Sequence, residues 1–197
     1  MGRDRFGPMT LANILAFPGS LRARSTNGAV LRSALETAAA RQVSAEVADI
    51  AALPHFNPDL DGEDATAPAS VAALRSATAR ADAVLIVSPE YAHGVPGSLK
   101  NALDWLVSSG EFIGKPVGVI TASPSPTGGD FAHAQLRETV RMMTGTVVAD
   151  ACLRIGLIST KTDAEAGRVS DEATLTELSG GPSPHCWTRR RPADDLY

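Results

Sequence analysis

The amino-acid sequence predicts an open α/β fold: five parallel strands in the order 2-1-3-4-5, with helices on both faces of the sheet. Three observations carry that prediction. Short apolar runs alternate with stretches of helical periodicity along most of the chain. The runs, of which Ala83-Val84-Leu85-Ile86-Val87 is the clearest, are apolar at every position, as strands buried on both faces are. The first, third and fourth runs each empty into a loop rich in Gly, Pro, Ser or Thr. In this strand order the chain reverses direction between strands 1 and 3, so those loops converge on one edge of the sheet, where such folds bind ligands.

Leu11–Phe17 reads as the first strand, and Pro18–Asn27 as a loop dense in hydroxyls, arginine and amide. A helix follows with Val30, Leu31, Ala34, Leu35 and Ala38 on one side. Ser44–Ile50, with polar residues interleaved, reads as an edge strand; 54–64 is loop, in which His55 has no second metal-binding side chain at useful spacing. A helix is expected over Thr66–Arg80 with Pro68 in its first turn. The third strand leads into Ser88–Pro96, a stiff loop of two prolines, a tyrosine and a histidine, and then a helix with Leu99, Ala102, Leu103, Leu106 and Val107 in one stripe. Val117–Ala122 is the fourth strand, Ser123–Gly129 its loop, and Ala132, Leu136, Val140 and Met143 the buried line of the next helix. Thr146–Val148 and Leu153–Ile155 together supply a fifth strand interrupted by a short insertion.

The chain has 197 residues, room for one domain with a real core. Residues 1–10 read as a flexible lead, 11–179 as the domain and 180–197 as an extended or disordered tail. A net charge of −4 gives no general attraction to nucleic acid or to an anionic membrane. No apolar run approaches the roughly 20 residues of a membrane span. Cys152 and Cys186 lack CxxC spacing and read as reduced thiols, and the start lacks an apolar leader, which points to the cytoplasm. No metal cluster and no Ser-His-Asp set appears, so neither metal ligands nor catalytic side chains are assigned.

The first loop opens a helix, where free amides, the helix dipole, hydroxyls and a guanidinium suit an anion. A helix start capped by Ser25 or Asn27, with the arginines in water, is the plainer alternative. The loop is neither a P-loop nor a GxGxxG turn.

GSLRARSTN, then SPEYAHGVPGSLKNALDW, then GKPVGVITAS followed by GG and AQLR, in this order, resemble the NADPH-dependent FMN reductases of flavodoxin-like fold, a group that includes chromate, quinone and azo-dye reductases. The resemblance covers about Leu11–Leu157 and implies a three-layer sandwich. It implies that Ser20, Arg22, Ser25, Thr26 and Asn27 hold the FMN phosphate. Pro89, Glu90, Tyr91, Ala92, His93 and Gly94 would line the ring, and Ser123 would close the far side. For Glu90 a carboxylate capping nearby backbone amides stands beside direct ring contact; for His93 a packing role stands beside proton donation. NADPH or NADH would supply hydride, Arg22, Arg24 and Lys115 being available for a 2′-phosphate, and a small molecule (free flavin, quinone, chromate or azo compound) would accept electrons. The family pattern further implies a homodimer or homotetramer, with Lys100, Asn101, Asp104 and Trp105 shaping the contact. The alternatives are a flavodoxin-like electron carrier and a flavin-poor redox-responsive scaffold. Three departures stand out: Ala92 where the family has asparagine, Pro18 ahead of the phosphate loop, and a Gly-Gly-Pro stop at 180–182 that would leave one sheet face partly uncovered.

Overall fold

In the computed structural model, which describes residues 13–62 and 65–180, strands β1 (Asn13–Pro18), β2 (Ser44–Val47), β3 (Ala83–Ser88), β4 (Pro116–Ala122) and β5 (Thr146–Val147) form one sheet in the order β2-β1-β3-β4-β5. Every pairing in it is parallel. A sixth strand, β6 (Leu153–Ile155), takes over from β5 along the same side of β4. The interrupted fifth strand expected from the sequence is thus two pieces, separated by a 3₁₀ turn at Ala149–Ala151.

Side-chain alternation along the strands divides the core. Leu15, Phe17, Val84, Ile86, Val117 and Val119 point to one face, and Ile14, Ala16, Leu85, Val87, Ile120 and Ala122 to the other. The first face is covered by α2 (Ala69–Arg80), α3 (Gly97–Asp104) and α4 (Asp130–Met142). The second is covered by α1 (Thr26–Ala40) and α5 (Glu172–Gly180). All six residues of β3 and all seven of β4 are buried, which is why neither run alternates in polarity.

Four local expectations change. The second strand ends at Val47, and all four of its residues are exposed, as suits a sheet border. The helix expected from Thr66 begins at Ala69, after Pro68 with its extended backbone. Regular helix stops at Asp104, so Val107 leaves the buried stripe and is 45% exposed. α5 forms ahead of the Gly-Gly stop, with Thr174 and Leu178 buried beside α1, so that face is covered as far as Gly180. The expected flexible lead, Leu11–Ala12 of the expected first strand and residues 181–197 of the expected tail lie outside the described residues, whereas Gly180 closes α5.

An antiparallel hairpin, β7 (Thr162–Asp163) with β8 (Arg168–Val169), was invisible in the sequence pattern. It is sewn to α1 by Arg32 Nε donating to Gly167 O at 2.8 Å, Val169 N donating to Ser33 Oγ at 3.1 Å, and an Arg168–Glu36 ion pair at 3.0 Å.

Candidate functional site

Loop 1 leaves β1 at Gly19, whose amide donates to Val87 O at 2.7 Å. A Cβ at position 19 would stand 2.6 Å from Ser88 Oγ and 2.7 Å from Ser88 Cα, so glycine is what lets this loop lie against the end of β3. Ser25 is the N-cap residue of α1, yet its hydroxyl makes no capping bond, and the first turn carries no acidic residue. The positive end of the helix is therefore left for something else to neutralise. Arg22 is exposed beside it, and Arg24 Nη2 donates to Ala164 O at 3.2 Å. With Arg32 and the hairpin residues Asp163 and Glu165, these side chains line a cavity of about 560 Å³. Asp163 is committed to its own turn: the amides of Ala166 and Glu165 hold its carboxyl below the usual range.

The loop after β3 is rigid for local reasons. Tyr91 and Gly94 exchange backbone hydrogen bonds of 3.1 and 2.9 Å, with Ala92 (φ 48°) and His93 (φ 58°) both left-handed between them. Two positive φ angles in a two-residue connection define a type I′ turn. Asparagine suits the first of these positions; alanine there carries strain. The turn presents Tyr91, 55% exposed, and a His93 ring stacked on Phe131 at 4.5 Å and 11°.

The loop after β4 closes against both neighbours. Gly129, at φ 81°, is the N-cap of α4 and has no side chain with which to cap it. Glu90 supplies the missing acceptor: its Oε2 takes the Ala132 amide at 2.9 Å. Of the two roles weighed for this residue, capping is the one the geometry displays. Ser123 is 9% exposed, and its hydroxyl accepts from Ser125 N at 3.1 Å. Asn27, at the start of α1, reaches across to donate from Nδ2 to Ala122 O at 3.0 Å. The three loops are thus stitched pairwise: first to second through Gly19 and Ser88, first to third through Asn27 and Ala122, second to third through Glu90 and Ala132.

The site has an unfinished inventory. Asn27 is 5% exposed, its Nδ2 is committed, and its Oδ1 has no hydrogen-bond partner among the described residues. A buried acceptor left bare costs about 1–3 kcal/mol. A ligand combining an anion for the α1 terminus with hydroxyl donors for Asn27 would complete the set, and the phosphate and ribityl chain of FMN combine them. The residues present fit that group.

Ser20, Arg22, Ser25, Thr26 and Asn27 lie on the first loop and the start of α1, Pro89–Gly94 on the second loop and Ser123 on the third, loops that the contacts above tie together; the cavity at Arg22, Ser25 and Thr26 is shared with the hairpin and is lined by none of the second- or third-loop residues. The structure removes others. Lys115 is fully buried with Nζ donating to Ala81 O, so it is not available to a 2′-phosphate. Trp105 is also fully buried, its Nε1 donating to Pro54 O at 3.0 Å and its ring edge-on to Phe56. Asn101 bonds Phe56 N and Pro54 O. Both residues pin the 54–57 segment, and only Lys100 and Asp104 of the four proposed contact residues face outward. Sequence reasoning missed Phe131 and the β7–β8 hairpin; the Gly128-Gly129 pair just before Phe131 was the available signal for the first.

An α/β sheet with an anion cradle and a rigid turn meeting at its carboxyl edge defines a phosphate-bearing cofactor protein of flavodoxin-like fold. Residues 12–158 match the family model described as NADPH-dependent FMN reductase. A quinone reductase of Escherichia coli (strain K12) is 36% identical, over 85% of this chain and 89% of that one. An NAD(P)H-dependent FMN reductase of Pseudomonas aeruginosa is 31% identical over 90% and 95%. The solved structure of FerB, a flavoenzyme NAD(P)H:(acceptor) oxidoreductase from Paracoccus denitrificans, superposes with a TM-score of 0.76 at 31% identity, over 86% of this chain and 92% of that one. The chain belongs to the NADPH-dependent FMN reductase family. It is an NAD(P)H-dependent oxidoreductase that works with FMN.

Proposed function

We propose that the crevice between the three loops holds FMN, with its phosphate on Ser20, Arg22, Ser25, Thr26 and the α1 terminus, and that the chain reduces small quinones at the expense of NAD(P)H. The observation that carries this reading is the unfilled cradle: an uncapped helix start and an orphaned Asn27 oxygen on loops tied to a rigid turn. When bound, FMN supplies the hydride-accepting and electron-relaying chemistry. The chain's own residues position and shield. Pro89 is buried and fixes the entry to the turn; the backbone of Tyr91–Gly94 is locked by its paired hydrogen bonds and offers an edge that does not move. Glu90 sets the distance between the second and third walls by holding α4. The exposed His93–Phe131 stack offers a flat aromatic face at the rim, which suits a planar acceptor.

The groove between α3 and α4, about 470 Å³ and lined by Val95, Val107, Thr139 and Met142 with Lys100 and Asp104 beside them, is the contact of a homodimer. Met142 is 59% exposed there. Mass measurement by light scattering checks it: a Val107→Glu, Met142→Glu double variant should be a monomer. The reduced-thiol reading of Cys152 and the use of NAD(P)H support a cytoplasmic protein.

The deciding experiment is an absorbance spectrum of the pure protein with and without added FMN, followed by NADPH and a small quinone. A flavin spectrum, weakened in Arg22→Gln, and quinone-dependent NADPH oxidation with no partner protein are expected. A colourless protein that takes up no FMN overturns the proposal.

A further inference from the structure

We propose that the chain carries a second oxyanion site, outside the flavin crevice, in the groove between α4 and β6 lined by His133, Arg137 and Arg154. The groove encloses about 390 Å³ and continues into a second cavity of about 530 Å³ that shares Asp130, Cys152 and Arg154 with it. It lies behind the third loop, where Gly128 packs so closely that a Cβ would meet the Arg154–Ile155 backbone at 2.8 Å.

Seven of the ten described arginines donate from their guanidinium to a carbonyl, a hydroxyl or a carboxylate. The three that donate to no described residue are Arg22, in the phosphate cradle, and Arg137 and Arg154, in this groove. Arg137 is half-buried with its Nε shielded from solvent and unpartnered. A guanidinium shielded in this way ordinarily has an acceptor.

The other groups in the groove do not supply one. Asp130 attracts Arg154 through space, but its hydrogen bonds go to the Thr127 hydroxyl and the amides of its own helix start, and Glu177 at the far end of the adjoining cavity forms no ion pair among the described residues. Arg141, a third cation near the thiol, is already paired with Glu138 at 3.5 Å. Burial raises the Cys152 thiol, against opposing effects of a backbone hydrogen bond to Val119 and of Arg137 and Arg141, so it stays neutral, and its Sγ donates to Val148 O at 3.2 Å.

His133 adds a directed donor. It is 6% exposed, and its Nδ1 lies 3.4 Å from Thr121 Oγ1. The tautomer that accepts the Thr121 hydroxyl at Nδ1 carries its proton on Nε2, which makes no hydrogen bond among the described residues. Two guanidinium groups with open hydrogen-bond donors, Arg154 only partly balanced by Asp130, and an imidazole N–H in one partly enclosed groove recognise a tetrahedral dianion such as a phosphoryl group. That chemistry has two sources: the 2′-phosphate arm of NADPH, or free phosphate acting from outside the reaction.

The test uses the full chain loaded with FMN, so that the first cradle is filled, and titrates inorganic phosphate by calorimetry. Saturable binding is expected, weakened about tenfold or more in Arg154→Gln, an exposed position that should not disturb folding, and likewise in Arg137→Gln. Phosphate that competes with NADPH but not with NADH assigns the groove to the 2′-phosphate; phosphate that binds without affecting either coenzyme assigns it to a free anion. No saturable binding, or binding unchanged in both variants, overturns the proposal. Should the chain take up no FMN, the flavin reading fails alone: the same titration of the flavin-free protein still tests the groove, because a bound phosphate sensitive to Arg154→Gln cannot be the one on Arg22.

Discussion

Replacing Glu90 separates the two roles open to a carboxylate beside a cofactor crevice. Its Oε2 accepts the Ala132 amide at 2.9 Å, and the residue at the cap position, Gly129, has nothing to offer in its place. Glu90→Ala removes an N-cap acceptor, worth about 1 kcal/mol and up to about 2. The acceptor is also ionised and faces the positive end of α4, which places the loss toward the upper value. For a chain of this length each kcal/mol moves the thermal midpoint by about 2–4 °C, so the flavin-free protein should melt about 4–8 °C lower. Glu90→Gln keeps an acceptor and loses only the charge at the helix terminus, about 0.3–1 kcal/mol, and should fall between. The assay is thermal unfolding of the flavin-free protein by circular dichroism, with FMN affinity measured separately. A Glu90→Ala protein that melts with wild type while losing FMN affinity would refute the argument, because the carboxylate would then act on the ligand and not on the helix.

Ala92→Asn should raise stability by about 0.5–1 kcal/mol, since it relieves part of the left-handed cost at φ 48°; an unchanged or lower melting point would contradict the turn assignment. Gly19→Ala should cost about 1–3 kcal/mol and weaken FMN binding, because its Cβ would strike Ser88 and push the first loop off the second; denaturant titration and flavin affinity would both register it. Burial, assisted by Arg137 and Arg154, lowers the His133 pKa to about 4 from 6.5. The unfolded chain therefore binds a proton there that the folded one does not, so stability should be full above pH 6.5 and decline as pH falls toward 4, by at most about 3 kcal/mol. His133→Gln should flatten that part of the stability profile, and an identical slope in the variant would count against the assignment.

What was legible in the sequence was whatever depends on periodicity and on glycine. Runs such as Ala83–Val87 announce a doubly buried strand, and the loops after strands 1, 3 and 4 had to meet once the strand order followed. The split last strand was readable because two short runs, Thr146–Val148 and Leu153–Ile155, stand a few residues apart. Side-chain direction was not readable. Trp105 and Lys115 have the composition of surface or interface residues, and only the position of Pro54 and Ala81 in space turns them inward. The hairpin at Thr162–Val169 has two-residue strands, too short to alternate, and it exists because α1 offers Arg32 and Ser33 as anchors 130 or more residues away in the chain. Glu90 could be narrowed to two roles but not decided, since the amide it binds belongs to a helix 42 residues later.

The two borders of the sheet share a property with a consequence for handling the protein. On one side stands a strand of four residues, on the other two fragments of two and three residues with a 3₁₀ turn wedged between them. Neither flank presents an unbroken row of idle amides and carbonyls long enough to recruit a neighbour's strand. A concentrated solution of the folded protein should therefore resist ordered fibrillar stacking, and its route to self-association runs through helices.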